Sequence, residues 1–447
     1  MKHIPLYSIL LGILSISNAH AYEGDTHDFF LPNGMKVIIM EKHAKPEVGV
    51  GIFYNVGAHD EPWGQRGINA VVAELMSKGT DRYSKEKVEE VVFQYSKWYG
   101  WKYTDDMTYF ISILRKDDLE LGLDIESDRM KNSLINDQSL IQVKKERTQK
   151  FEEYNRNFIN KTLDSAIQDM IPEGHPYRID SRGIKEQIDT LSVSTCTNFY
   201  NKYYNPNNSV LVLVGDIVPD KVLPLIFKYF GSIEQTTDIP PELDLSVEPQ
   251  HTNEILSYDT HVNDIGNMFG QLSLITFVLP SSRDDDTIIL DFLFEIITLD
   301  FNNNGPIANR YTNNQRNLTM TNQWFQKKMG SSFYIVWGFN LLRKVSPNKI
   351  RKQVIDTYRF IGENGIDDNI IDQYKKTYLL EKYNDNKNYY HNTYRLGTAE
   401  LINGDYRTFT KEYELLKNLS NEDIKRVAST YLTNENLFFA NISVNKQ

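Results

Sequence analysis

Between Val48 and Thr80 the chain changes its hydrophobic period abruptly, and that change limits what it can fold into. Val48 to Tyr54 (VGVGIFY) is an apolar run of strand length. Gly64 and Gly67 punctuate the loop after it. Ile68, Val71, Val72 and Leu75 then fall at i, i+3, i+4 and i+7, one buried stripe of a helix. Positions 70, 73 and 74 lie on a different face, where residues four apart stand one above the other. A metal site on such a helix needs His at i and i+4 with a carboxylate between them as general base. Here those positions hold Ala70, Ala73 and Glu74. Alanine has no ligand atom, so two of the three chemical groups are absent.

The flanks of this helix carry a pattern of their own: Gly57, Ala58, Glu61 and Pro62, then Gly67, then Lys78, Gly79 and Thr80. In this spacing the stretch resembles the signature of the insulinase, pitrilysin and mitochondrial processing peptidase family of zinc peptidases. That signature runs Gly-Ser-x-x-Glu-Pro, Gly-x-x-His-x-x-Glu-His and Lys-Gly-Thr. The resemblance puts Ala70 at the first ligand His, Ala73 at the catalytic Glu and Glu74 at the second His.

The chain begins Met1-Lys2-His3, followed by an apolar run from Ile4 to Ile16 and small residues at Ala19 and Ala21. This is the pattern of a secretory signal peptide over residues 1–21, with cleavage expected before Tyr22 and export to the periplasm. The run is too short to span a bilayer comfortably, and no later stretch is long and apolar enough to do so. A formal net charge of -11 without any dense basic tract argues against nucleic acid as a partner. The single cysteine, Cys196, excludes an internal disulfide and a thiolate-rich metal site.

Further matches to the same family run along the first half. Asn33-Gly34 is a turn between two strand-like runs, and Trp98 to Phe110 reads as loop then strand. Asp106, Thr108 and Phe110 resemble Asp-x-Thr-x-Tyr, and Leu119 to Asn132 resembles the helix that ends in Asp-Arg-Met. Glu146-Arg147 and Glu153 fit the positions of the family's supporting Glu and third zinc ligand. His175-Pro176-Tyr177 with Gly183, and Tyr204, Pro206 and Asn208 before the apolar strand Leu211 to Gly215, follow the family order. Leu223 to Gly231 reads as a short helix with a glycine cap.

Residues 233–251 are polar and carry Pro240, Pro241 and Pro249, the composition of a linker. Beyond them a strand (Gly270 to Pro280) and an apolar helix (Thr287 to Ile297) begin the pattern again. Tyr431, Asn434, Asn436 and Leu437 echo Tyr204, Asn207 or Asn208 and the strand that follows. Two similar halves, 22–232 and 252–447, are therefore expected. The family's second half grips substrate with an Arg and a Tyr. Those positions fall here on Arg316 and on Gln323, or Trp324 with a slip of one.

The resemblance implies an α+β fold, each half an antiparallel sheet with helices packed on it. It also implies how the chain works. Family subunits of this length pair to enclose a chamber, and in some pairs only one partner carries zinc. The chain is thus expected to be a silent subunit of an exported heterodimer, without a cofactor of its own, binding peptide beside a homologue with an intact zinc motif. The alternative is a stand-alone peptide-binding or assembly protein on the same fold. An active zinc metalloendopeptidase would need ligands that Ala70 and Ala73 do not supply.

Overall fold

A computed structural model of the chain describes residues 25–88, 90, 96–156, 158–239, 241–262, 270–302, 320–341, 345–385 and 387–446. The elements run β1 (Thr26–Phe30), β2 (Lys36–Glu41), β3 (Glu47–Tyr54), α1 (Ile68–Met76), β4 (Ser96–Tyr103), β5 (Thr108–Arg115), α2 (Leu119–Asn132), α3 (Asp137–Asn155) and α4 (Phe158–Met170). They continue with α5 (Lys185–Thr190), α6 (Val193–Tyr203), β6 (Ser209–Gly215), α7 (Pro219–Phe230), β7 (Leu256–Val262), β8 (Gly270–Ser281), α8 (Asp286–Asn302), β9 (Met320–Gln326) and β10 (Ser331–Leu341). The last are α9 (Pro347–Asn364), α10 (Asp368–Asp385), α11 (Tyr389–Ile402), α12 (Thr408–Asn418), α13 (Asn421–Tyr431) and β11 (Leu437–Lys446). Two compact units result. One takes the described residues of Met1–Glu146, Asp180–Glu242 and Lys382–Lys411; the other takes those of Arg147–Ile179, Leu243–Glu381 and Glu412–Gln447.

The first unit is built on a six-stranded sheet in the order β1-β2-β6-β3-β5-β4. All pairs are antiparallel except β2 with β6. The β1–β2 hairpin closes at Asn33-Gly34, where Gly34 takes φ 83°, a left-handed value that favours glycine. Every residue of β3 is buried, because helices cover both faces of the strand. Alternation along a strand assigns the faces. Val50 points to α2, where Gly122 leaves room for it and for Leu114. Gly49 and Gly51 point the other way, to Thr393 on α11, and Gly397 of that helix receives the ring of Phe53.

This is a close helix-on-sheet contact that side chains would prevent. A Cβ on Gly397 would sit 2.3 Å from the Phe53 ring, and one on Gly49 would sit 2.3 Å from Thr393 Oγ1. Gly397→Ala is therefore expected to destabilise the protein by about 1–3 kcal/mol through overpacking, despite alanine's better helix propensity. Chemical denaturation checks this; an unchanged or raised midpoint would refute the close-packing account.

The second unit has a five-stranded sheet in the order β7-β11-β8-β10-β9, antiparallel except for β7 with β11. Its odd-numbered β8 residues Ile275, Phe277 and Leu279 join Leu290 and Leu293 of α8 and Val427 of α13 in one apolar cluster. The even-numbered Leu274 and Val278 face Ala166 and Met170 of α4 in another. The two sheets thus share a strand plan, with β7, β11, β8, β10 and β9 in the places of β2, β6, β3, β5 and β4.

The repeat extends to the helix caps. Ser192 and Ser420 cap α6 and α13, accepting from the N–H groups of Thr195 and Asp423. Both helices end on a tyrosine and lead through a single 3-10 turn into the central parallel pair. Asn208 Nδ2 donates to the Tyr203 carbonyl at 2.8 Å, and Asn436 Nδ2 donates to the Tyr431 carbonyl at 3.1 Å. The counterpart of Tyr431 is therefore Tyr203, one residue before the tyrosine picked out by motif spacing.

The fold is α+β, with two helix-packed sheets. Two local readings change. Trp98 to Tyr103, read as loop, belongs to strand β4, which pairs with β5 at the sheet edge. Gly231 ends α7 at φ −64°, so it is a right-handed residue there rather than a left-handed cap.

Candidate functional site

The helix α1 is where the motif chemistry would reside, and buried charges hold it at both ends. At its start, the Glu61 carboxylate accepts from the backbone N–H of Gly67 at 2.8 Å and of Asn69 at 2.9 Å. A carboxylate there satisfies amides that the helix leaves open and sits at the positive end of its dipole. The Arg66 guanidinium lies 3.6 Å from Glu61 and donates to the Ala58 carbonyl at 2.7 Å. Burial pulls the Arg66 pKa down from its ordinary value, against the pull of Glu61.

Gly67 enters the helix at φ 104°, and a Cβ there would meet Ile188 at 2.5 Å. A Cβ on Gly183 would lie 2.2 Å from the Gly67 Cα. Two motif glycines a hundred residues apart are thus one backbone-to-backbone contact.

At the other end, Arg129 donates to the Met76 carbonyl at 2.7 Å and pairs with Glu126 at 3.1 Å, while its guanidinium stacks 4.5 Å from the Phe110 ring centroid. Its neighbour Asp128 receives the Thr80 hydroxyl and the Arg82 Nε–H. Asp128-Arg129-Met130 therefore anchors both the last turn of α1 and the Lys-Gly-Thr segment. The first turn of α1 is tied to other segments as well. Tyr204 donates its hydroxyl to Asn69 Oδ1 at 2.7 Å, Asn69 Nδ2 donates to Thr108 Oγ1 at 3.1 Å, and Thr108 donates to the Val56 carbonyl at 3.0 Å. The three motifs around Glu61, Thr108 and Tyr204 thus converge on one helix.

Ala70, Ala73 and Glu74 lie on this helix, fully buried, with Glu74 only 2% exposed. The expected supporting residue Glu146 binds Lys78, whose Nζ reaches its two oxygens at 2.8 and 2.6 Å. Burial opposes ionisation of Glu146, but the Lys78 ammonium and the Gln142 amide hold its pKa below the ordinary value. Glu153 belongs to the second unit and is exposed on α3. Arg316 lies outside the described residues. Gln323 and Trp324 are in β9, opposite Val336 and Ile335, and their side chains lie outside the described ones. His175 accepts from the Tyr177 N–H at 3.1 Å as the cap of a 3-10 turn, and burial lowers its pKa.

The residues at α1 do not fit a zinc ion. A catalytic zinc takes three nitrogen, oxygen or sulfur ligands from the protein, and two of the three helix positions have no such atom. Among the described residues no group of three or more His, Cys, Asp or Glu side chains is placed to hold a metal.

Motif reading passed over His59. Its ring is 9% exposed, with Nδ1 2.8 Å from the Asp105 carbonyl and 3.5 Å from the Asp106 carboxylate, and Nε2 3.2 Å from the Asp60 carboxylate. Burial lowers its pKa, yet the two carboxylates and the carbonyl outweigh that and raise it to about 9. Burial also raises the Asp60 pKa, against the pull of His59. The signal was present in the adjacent pairs His59-Asp60 and Asp105-Asp106. Only the fold brings them together.

Along the outer side of the same sheet, β4 is an edge strand carrying Trp101, whose ring stacks 6.1 Å from Phe110. An edge strand presents backbone groups that an extended peptide can pair with.

Comparison with known proteins places this geometry. Residues 36–178 match the family described as Insulinase (Peptidase family M16), and residues 190–378 match the Peptidase M16 inactive domain. The zinc protease PqqE of Helicobacter pylori is 22% identical over 308 residues, which cover 66% of this chain and 68% of that protein. Subunit 1 of the mitochondrial cytochrome b-c1 complex of Bos taurus is 24% identical over 240 residues, covering 52% of this chain and 48% of the subunit. The crystal structure of a peptidase M16 inactive domain from Pseudomonas fluorescens superposes with a TM-score of 0.80 at 14% identity, over 95% of this chain and 98% of that one. With a match in each half, the chain belongs to the insulinase family of peptidases, peptidase family M16.

Proposed function

We propose that the chain is a catalytically silent, exported member of its family that holds peptide and works in proteolysis beside a zinc-bearing homologue. The observation that carries this reading is the contrast within α1. The residues that position the helix are present and bonded: Glu61, Gly67, Asn69, Thr108, Asp128, Arg129 and Tyr204. The residues that would bind metal and move a proton are Ala70, Ala73 and Glu74. Losing two imidazoles and the base removes the metal and the general base together. Strand β4 is an edge of its sheet, a place where an extended peptide could add as a further strand. The relatives include a protein named a zinc protease and one named a subunit of the mitochondrial cytochrome b-c1 complex. The apolar run from Ile4 to Ile16 supports export to the periplasm. Among the described residues no helix is long and apolar enough to cross a membrane.

The test is zinc content and peptide hydrolysis by the purified chain, alone and mixed with a homologue from the same genome that has an intact His-x-x-Glu-His. No zinc and no cleavage alone, with a complex more active than the homologue by itself, is the expected result. Zinc and cleavage by the chain alone would overturn the proposal. Neither zinc nor any effect on a homologue would leave a stand-alone peptide-binding or assembly protein.

A further inference from the structure

Strand β4 is a weak strand by itself. Among the described residues it pairs only with β5, and Gly100 in the middle of SKWYGWKY loosens a strand interior. Its order has to come from its ends. After Tyr103 the chain turns tightly over residues 104–107. The Thr104 N–H donates to the Met107 carbonyl at 2.8 Å, and Thr104 Oγ1 accepts from the Met107 N–H at 3.0 Å. The same turn is fastened to residues 57–60, which lead toward α1. The N–H groups of Ala58 and His59 donate to the carbonyls of Thr104 and Asp105 at 3.1 and 3.0 Å. A Cβ on Gly57 would collide with the Asp105 carbonyl, so the two backbones touch.

His59 adds the side-chain part of this clip. Its Nδ1 donates to the Asp105 carbonyl at 2.8 Å and lies 3.5 Å from the Asp106 carboxylate, while Nε2 lies 3.2 Å from the Asp60 carboxylate. Both ring nitrogens thus face oxygen acceptors. A neutral imidazole has one N–H and would turn a lone pair on one of them; the imidazolium satisfies both. Asp60 itself accepts from the Gly57 N–H at 2.9 Å. From α6, Tyr203 donates its hydroxyl to the Asp60 carbonyl at 3.2 Å, and Lys202 favours the charged Asp60. Arg66, in the loop before α1, is attracted by Asp105. The surrounding carboxylates and carbonyl keep the ring charged up to about pH 9.

We propose that the His59 imidazolium is a positioning residue: it clips the β4–β5 hairpin to the approach to α1 and thereby sets how tightly the β4 edge takes an extended peptide. This rests on the peptide-holding reading above. A strand that is already ordered spares an added peptide the entropy of ordering it. When the ring loses its proton, one contact of the clip becomes a repulsion between a lone pair and an oxygen, the turn loosens, and binding has to restore it.

Two measurements on the full chain test it, with folding checked by circular dichroism at each pH. The first is hydrogen exchange at neutral pH: H59Q should exchange the amides of β4 and β5 faster than the parent, with β6 unchanged. The second is fluorescence anisotropy with a labelled decapeptide of alternating valine and arginine, whose charge stays constant over the range used. Parent affinity should hold through neutral pH and fall through about pH 9. H59Q should bind about tenfold more weakly at neutral pH, with a flat profile. D106N, which removes one charge that holds the proton, should move the fall to lower pH, and it decides the matter alone if H59Q does not fold. Unchanged exchange in the hairpin, unchanged affinity of H59Q, or a fall at the parent's pH in D106N would overturn the inference and leave peptide holding intact. No binding by the parent would overturn the peptide reading, and this inference with it.

Discussion

Glu61→Ala is expected to lower the unfolding free energy by about 3–5 kcal/mol, the range for breaking a buried ion pair from one side. Three losses coincide. The amides of Gly67, at the N-cap, and of Asn69, in the first turn of α1, lose a charged acceptor. The Arg66 guanidinium, buried with it, loses its nearest carboxylate. The Gly67 backbone, fixed at a left-handed φ against Gly183 and Ile188, loses the contact that holds it in place. Removing the partner as well, in Glu61→Ala with Arg66→Met, should recover part of the loss, because an uncompensated buried charge is the costliest outcome. Denaturant unfolding of the two variants and their parent gives the answer. A loss below about 1 kcal/mol for Glu61→Ala would mean that water or a neighbour replaces the carboxylate.

The second large effect is one of pH. His59 is held protonated by Asp106, Asp60 and the Asp105 carbonyl, with its pKa raised to about 9. An unfolded His titrates near 6.5. A group whose folded pKa is raised binds its proton more tightly in the native state, so its contribution is full below the unfolded value. It is then lost as pH rises through the folded one. The window runs from about pH 6.5 to about 9, and the stability lost across it is on the order of 3 kcal/mol. The Asp60 pKa is raised as well, but from the carboxylate range, so its own loss falls at the acid end. His59→Gln removes the titrating group and leaves Asp60 and Asp106 facing each other without a cation. Its stability should therefore be lower near neutral pH and nearly flat from pH 7 to 9, where the parent declines. An equally steep decline in both proteins would assign the slope to other groups.

How much of this was legible in the sequence follows from how local each feature is. The strand, loop and helix from Val48 to Met76 announce themselves by a change of period, and Leu119 to Asn132 is a helix over its full stretch. The doubling of the fold was visible because a tyrosine, an asparagine and a strand recur in fixed order. Strand β4 was not visible as a strand. Its SKWYGWKY stretch has a central glycine and no clean alternation, and as an edge it needs only one neighbour. The family motifs located their residues but not their work. Glu146 was read as a support of the zinc ligands, and its ion pair with Lys78 depends on a contact between residues far apart in the chain. Gly183 and Gly67 were separate motif letters until their backbones met. His59 needed a second chain segment, Asp105-Asp106, before it had a role at all.

The way helices are distributed between the units has a consequence for handling the protein. Helix α4 comes before the polar stretch 233–251 and is packed in the second unit; α11 comes after it and is packed in the first. A protease that cuts that stretch severs the chain without separating two free-standing domains, since each fragment still owns a helix that completes the other's sheet. Neither fragment expressed by itself has a full core: the first lacks the cover of Gly49, Gly51 and Phe53, and the second lacks Ala166 and Met170 against Leu274 and Val278. Two such halves, mixed, are expected to restore each other's cores, since each repeat is completed by a helix that the other half of the chain supplies.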